Sequence, residues 1–248
     1  MEQKLSRIPV LIVTAVLSVI AYFLRSHQLK TAFDEVGVVP GAVTVILSVF
    51  CIAAVLLFAV YAWFLRSRKK YGSVSSREVP LLAVSLAAAV CLLLSSVMLA
   101  MAPAQKGDML VAVGGAVTAV CWTAVAMARF QGKKAHAALF LLPAVFYVVD
   151  LICQFRFWTR DPVILDYCFD LFALICTMCA VFQLGGYCFD KGGRRITAFF
   201  SFGGVFFSVI SMAGAAGFRV LGYLGAVLWL LGNLWLLLRP GRKMDNGQ

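Results

Sequence analysis

The sequence is poor in charged residues. Only 13% of its 248 residues are charged, and Asp and Glu together number 11. Soluble globular domains carry about 25% charged residues. This composition therefore excludes a soluble enzyme, a disordered tail and a nucleic-acid-binding module.

The sequence also lacks long polar segments and the common catalytic motifs. No connection between its hydrophobic runs is longer than 14 residues, which leaves no room for a nucleotide-binding, kinase or protease domain. A P-loop, a GxGxxG turn, an HExxH helix and a GxSxG elbow are all missing. The sequence predicts no catalytic residue and disfavours an enzyme, with an intramembrane enzyme acting on lipid as the last-ranked alternative.

Long hydrophobic runs dominate what remains. Hydrophobic residues make up 62% of the chain, against about 45–50% in soluble domains. They form eight blocks of 17–27 residues, each long enough to cross a bilayer as a helix. The blocks are Ile8–Leu24, Val39–Leu65, Val79–Pro103, Met109–Ala128, Ala137–Phe155, Val163–Phe189, Ile196–Gly217 and Val220–Leu238. The sequence predicts an all-α, polytopic integral membrane bundle of eight transmembrane helices in a single domain, 1–248.

Basic residues cluster in alternate connections. With the N-terminus inside, 16 of the 22 lysines and arginines fall on the cytoplasmic side, which is a strong positive-inside bias. Both termini are therefore predicted to be cytoplasmic, in a bacterial-type plasma membrane, and the net charge of +11 needs no nucleic-acid partner. The basic connections can contact anionic lipid headgroups. His27 and His136 fall on opposite faces, which disfavours a bis-histidine haem or a zinc site, so no cofactor and no metal are expected.

The helix ends suggest an internal duplication of four plus four helices. The second and sixth blocks both end in aromatic and then basic residues. The fourth and eighth are both followed by a basic segment that contains a glycine, which gives halves of about 1–135 and 136–248. Such halves would be parallel repeats, as in some transporters. The alternative is that every cytoplasmic helix end carries aromatic and basic residues.

Two of the predicted outer connections are short or polar. We expect Arg25, His27, Asp34 and Glu35 to occupy a solvated loop after the first block, with a lid over a pocket as the alternative. Only the dipeptide 218–219 separates the seventh and eighth blocks, and glycines lie on both sides of it. This pattern predicts a tight helical hairpin, with a broken or re-entrant helix as the alternative.

Three carboxylates lie inside hydrophobic blocks, where an ionisable group is costly and therefore a functional candidate. Asp150 belongs to the fifth block, and Asp166 and Asp170 belong to the sixth. Asp150 precedes Arg156 by six residues and Asp170 follows Val163 by seven, so each lies about 9–10 Å from the outer boundary at 1.5 Å per residue. The two carboxylates are therefore predicted at matching depth on neighbouring helices.

A second polar stripe accompanies these acids. Tyr147, Asp150 and Gln154 follow a helical spacing on the fifth block. Two facing polar stripes predict a hydrated pocket open to the outside. Arg156 and Arg160, in the connection that follows, can reach back to gate or neutralise it.

The eight cysteines all lie within hydrophobic blocks. They therefore do not form a secreted disulfide framework. Cys176 and Cys179 make a CxxC, but no second CxxC and no nearby histidine accompany it. We expect them to act as small apolar core residues.

Together these features favour a small transporter or permease-like protein. Asp150 and Asp170 would bind a proton, a cation or a cationic solute, while Asp166, Tyr147 and Gln154 would line the pocket. The alternative is a non-catalytic membrane subunit, sensor or assembly factor, in which the charges hold helices or a membrane protein partner.

Overall fold

The computed structural model describes residues 7–31, 33–34, 37–38, 41–65, 78–104, 107–158 and 167–239. Over these residues the predicted all-α architecture is confirmed, with eight α-helices. They are α1 (Arg7–Thr31), α2 (Ala42–Phe64), α3 (Val79–Met101), α4 (Asp108–Phe130), α5 (Ala138–Trp158), α6 (Cys168–Gly186), α7 (Arg194–Ser211) and α8 (Gly217–Leu237). Two-residue strands β1 (Phe33–Asp34) and β2 (Gly37–Val38) pair antiparallel after α1, and a 3₁₀ turn (Tyr187–Phe189) follows α6.

Seven of the described helices are long and apolar enough to cross a membrane, and α7 is the exception. Large apolar side chains on their outer faces are exposed, as along α2 at Val45, Ile52 and Leu56. Apolar surface of this extent is stable in lipid and not in water. The chain is thus a multi-pass integral membrane protein in a lipid bilayer.

Helix α7 is less apolar because it packs against protein on nearly every side. Thirteen of its 18 residues are buried, and several of them are small. A Cβ built on Gly204 would lie 2.6 Å from Leu230 of α8 and 3.2 Å from Thr177 of α6. A helix surrounded by other helices does not need a lipid-facing apolar surface.

The six helices from α3 to α8 form a closed ring. Each packs against the next in the chain, and α8 returns to pack against α3. The α1–α2 pair lies outside the ring, where both helices contact α7. The predicted division near residue 135 falls in the connection between α4 and α5, and the duplication stays a prediction.

Two arginines at the start of α7 hold the ends of other helices. Arg194 is buried and its Nε donates to the Leu237 carbonyl at the end of α8, at 2.6 Å. The Nε of Arg195 donates to the Leu65 carbonyl just after α2, at 2.9 Å. The last carbonyls of a helix lack intrahelical partners and carry partial negative charge, so a guanidinium satisfies both needs.

Two predicted boundaries are wrong. Helix α1 continues to Thr31, so Arg25 and His27 lie within it and not in a loop. Hydrophobicity stops at Arg25, but its guanidinium donates to Gln28 Oε1 at 2.7 Å and lies 5.0 Å from the Phe169 ring centroid. A charge that is paired in this way does not end a helix. Asp34 lies in β1, and Glu35 lies outside the described residues.

The second boundary concerns the hairpin of α7 and α8, which pack against each other as predicted. The break falls at residues 212–216, whereas Phe218 and Arg219 belong to the first turn of α8. The small residues that precede Gly217 supply the turn, and the arginine is tolerated in the helix because it has a partner. The predicted cytoplasmic ends, residues 1–6 and 240–248, lie outside the described residues.

Candidate functional site

A cavity of about 80 Å³ lies inside the ring of α3 to α8, and all six helices contribute to its lining. The lining comes from the second half of α3, from the middle and later turns of α5, and from the first halves of α4, α6 and α8. The cavity therefore lies toward the predicted outer end of the bundle. Its polar lining residues are Ser95, Ser96, Asp108, Tyr147, Asp150, Gln154, Thr177, Ser208, Arg219 and Tyr223.

Asp150 is the deepest carboxylate on this lining. Its side chain is 9% exposed, and its Oδ1 accepts a hydrogen bond of 2.7 Å from Gln154 Nε2, one turn further along α5. Gln154 Oε1 in turn accepts a hydrogen bond of 2.8 Å from Nη1 of Arg219 on α8. The structure thus joins two of the predicted site residues to each other and to an arginine from another helix.

Asp170 lies behind the cavity wall. It accepts a hydrogen bond of 2.9 Å from the Tyr223 hydroxyl on α8, and Ser211 of α7 is adjacent to it. Tyr223 belongs to the described lining of the cavity and Asp170 does not. Asp150 and Asp170 still interact electrostatically. Asp170 is therefore placed to hold Tyr223 and α8 in position.

Arg219 is the site residue that the sequence failed to reveal. It interacts electrostatically with both Asp150 and Asp170. Arg219 lies between two hydrophobic blocks, and the sequence therefore predicted that it belongs to a connection. The small residues at 213–217 were the available signal, because they place the break before Arg219 and leave it in the first turn of α8.

Two hydroxyl groups on the cavity lining have unused hydrogen-bonding capacity. Tyr147 is 5% exposed and Ser208 is 1% exposed, and both line the cavity. Within the part of the chain that the structure describes, neither hydroxyl has a hydrogen-bond partner. Leaving a buried polar group unsatisfied costs about 1–3 kcal/mol, so such groups commonly mark a bound water, ion or ligand.

Carboxylates outnumber guanidinium groups among the described residues that line the cavity. Asp108, at the start of α4, also interacts electrostatically with Asp150, and it accepts a hydrogen bond of 2.8 Å from the Ala104 amide. Asp108 and Asp150 line the cavity together with the guanidinium of Arg219, whereas Asp170, Arg25 and Arg156 do not belong to the described lining. The local excess of negative charge favours a ligand that carries a positive group.

Three of the predicted site residues do not join this cluster. Asp166 and Arg160 lie outside the described residues. Arg156 is exposed near the end of α5 and interacts electrostatically with Cys153. The gating role of the two arginines and the lining role of Asp166 stay predictions.

The described residues give no grouping of three His, Cys, Asp or Glu side chains that could hold a metal ion. All eight cysteines are free thiols, and one of them, Cys153, lines the cavity. Comparison with protein-family models, with curated proteins and with solved structures finds no match. Functional inference therefore depends on the chemistry of the cavity.

Proposed function

We propose that this protein is a small membrane transporter of the permease type, which binds a proton, a cation or a cationic group of a solute at Asp150. The observation that carries the proposal is the cavity itself, whose lining includes a buried carboxylate and two buried hydroxyl groups that have no hydrogen-bond partner among the described residues. A purely structural carboxylate would be enclosed by packed side chains and by donors. Here it borders open space at the end of a ring of helices.

Asp150 has acceptor capacity left for a ligand. A carboxylate offers about four lone-pair sites, and within the part of the chain that the structure describes a single donor, Gln154, uses one of them. Weak screening inside a bilayer strengthens its attraction for a cation or a proton. Asp170 acts in this account as a positioning residue, because it holds Tyr223 against the cavity.

The proposal includes an orientation. We place the protein in a bacterial-type plasma membrane with both termini in the cytoplasm and α7 as an eighth span. The cavity then opens to the outside, because its lining lies toward the connections between α3 and α4, between α5 and α6 and between α7 and α8. A solute would enter from that side, and release to the cytoplasm would require the ring to open at its other end.

The test is a transport measurement in proteoliposomes with a matched pair of variants. Asp150→Asn removes the charge and keeps the shape, whereas Asp190→Asn changes an exposed acid that pairs with Lys134. Wild type and Asp190→Asn should give transient currents after jumps of pH, of sodium or potassium, or of small amines, and Asp150→Asn should give none. If Asp150→Asn gives the same currents as wild type, the site assignment is wrong.

A second candidate is a non-catalytic membrane subunit or sensor. The observation that favours it is the pairing of polar groups between helices, since Asp170–Tyr223 joins α6 to α8 and Gln154–Arg219 joins α5 to α8. In that case the charges fix helix packing. Such a protein should copurify with a membrane partner and should show no solute-dependent current.

A further inference from the structure

The charges on the cavity lining have opposite signs and are held apart. Asp150 and Arg219 both line the cavity, but the described contacts include no ion pair between them. The Gln154 carboxamide lies between them instead. Its NH₂ group donates to Asp150 at 2.7 Å, and its carbonyl oxygen accepts from Arg219 at 2.8 Å.

The neutral carboxamide of Gln154 thus presents a donor group and an acceptor group in the same order as a small zwitterion would. Its donor end faces the carboxylate and its acceptor end faces the guanidinium, as an ammonium and a carboxylate on one small molecule would. Both protein groups keep capacity for such a molecule. A guanidinium has five N–H donors, of which Arg219 uses one in the described contacts, and Asp150 accepts a single hydrogen bond.

Two further polar atoms suit the same ligand. The Tyr147 hydroxyl is buried on the α5 face that carries Asp150, with which it interacts electrostatically. The Ser208 hydroxyl comes from α7 on another wall of the cavity. Neither has a hydrogen-bond partner among the described residues, so each can accept from an ammonium or donate to a carboxylate. A cavity of about 80 Å³ limits the occupant to a small molecule.

We propose that the solute is a small zwitterion with a primary ammonium group, of the size of glycine, alanine or β-alanine, held between Asp150 and Arg219. This inference rests on the proposed function and names its substrate class. The ammonium binds Asp150 and the Tyr147 hydroxyl. The carboxylate binds the free N–H groups of Arg219, whose planar fork suits a carboxylate.

The experiment measures binding of three probe classes to the purified full-length protein by calorimetry and thermal shift, at millimolar concentrations. Glycine, L-alanine and β-alanine carry both charges, methylamine carries only the positive one, and acetate carries only the negative one. The variants are Asp150→Asn and Arg219→Gln, with Asp190→Asn and Lys133→Gln as exposed controls. Arg219→Lys keeps the positive charge but lacks the planar pair of N–H donors that binds a carboxylate. It replaces Arg219→Gln in the experiment if Arg219→Gln does not fold.

At least one zwitterion should bind wild type and both control variants at least tenfold more tightly than methylamine or acetate. Hydrogen bonds to charged groups contribute about 1.5–3 kcal/mol, so Asp150→Asn and Arg219→Gln should each weaken zwitterion binding about 10- to 100-fold. Arg219→Lys should weaken it by a smaller factor.

The alternative outcomes separate this inference from the proposed function. If methylamine binds as tightly as the zwitterions and Arg219→Gln changes neither affinity, the ligand is a simple cation. The zwitterion proposal is then wrong and the proposed function stands. If no zwitterion binds but Asp150-dependent proton currents occur, the zwitterion is again wrong and the proposed function stands. If zwitterions bind to Asp150→Asn with the same affinity as to wild type, the zwitterion proposal and the assignment of Asp150 as the binding group are both wrong.

Discussion

Asp150 and Arg219 border the same cavity without touching, because Gln154 hydrogen-bonds to both of them. Two opposite charges that line one cavity attract each other, and a direct ion pair would neutralise both. The neutral carboxamide keeps each of them available to a ligand. The arrangement resembles a site that is occupied by its own side chain when the solute is absent.

The Tyr223–Asp170 hydrogen bond is expected to stabilise the ring. Tyr223→Phe removes the hydroxyl and leaves a partly buried carboxylate short of one donor, which should lower the free energy of unfolding by about 1–3 kcal/mol. The measurement is thermal or denaturant unfolding in detergent. Tyr22→Phe on α1 is the control, because Tyr22 contacts the ring of Phe23 and has no described hydrogen bond through its hydroxyl. Equal stability of the two variants would show that the hydrogen bond from Tyr223 to Asp170 does not stabilise the protein.

The packing of α8 against α3 depends on Gly225. A Cβ at this position would lie 2.9 Å from the Ala88 carbonyl oxygen, so Gly225→Ala must push the two helices apart. Overpacking of this kind costs about 1–3 kcal/mol. Gly217→Ala, in the first turn of the same helix, meets nothing within 4 Å and should be neutral or slightly stabilising. The measurement is the free energy of unfolding of the two alanine variants under identical conditions. A Gly225→Ala protein as stable as Gly217→Ala would contradict the close packing of α8 against α3.

Arg194 should be required for the docking of α7 on α8. Arg194→Gln removes the donor to the Leu237 carbonyl from a buried position, and the expected loss is about 1–3 kcal/mol. Lys191→Gln, at an exposed position just before α7, should change stability by less than about 0.5 kcal/mol. Unfolding curves that coincide for the two variants would mean that the hydrogen bond from Arg194 to the Leu237 carbonyl does not stabilise the fold.

The fold was largely predictable from hydrophobic run length, and the site was predictable only in part. Asp150, Tyr147 and Gln154 were predictable because an intramembrane acid and its helical neighbours stand out in an apolar run. Arg219 and Arg25 were assigned to connections because each lies directly at the end of a hydrophobic run. Whether a charge ends a helix depends on its partners, and the partners of Arg25 (Gln28 and Phe169) and of Arg219 (Gln154) become visible only once the helices are packed.

The position of Asp170 shows a second limit of sequence reasoning. Depth along a helix follows from the rise per residue, so its nearness to Asp150 could be anticipated. Rotation about the helix axis depends on how α6 packs against α7 and α8. That rotation sends Asp170 toward Tyr223 and leaves Asp150 on the cavity lining.

The opening of the cavity can be tested through a native thiol. Cys153 lines the cavity, whereas Cys121 is buried on α4 and does not belong to the described lining. In single-cysteine variants, a membrane-impermeant maleimide added to intact cells should label Cys153 and not Cys121. Labelling of Cys153 only after permeabilisation would place the cavity mouth on the cytoplasmic side.

The most direct test of the central claim compares solute-dependent currents of wild type, Asp150→Asn and Asp190→Asn in proteoliposomes with equal amounts of folded protein. The account predicts that a jump in pH, cation or small zwitterion concentration gives a transient current for wild type and for Asp190→Asn, and none for Asp150→Asn. Equal currents for all three proteins would contradict the assignment of Asp150 as the binding group.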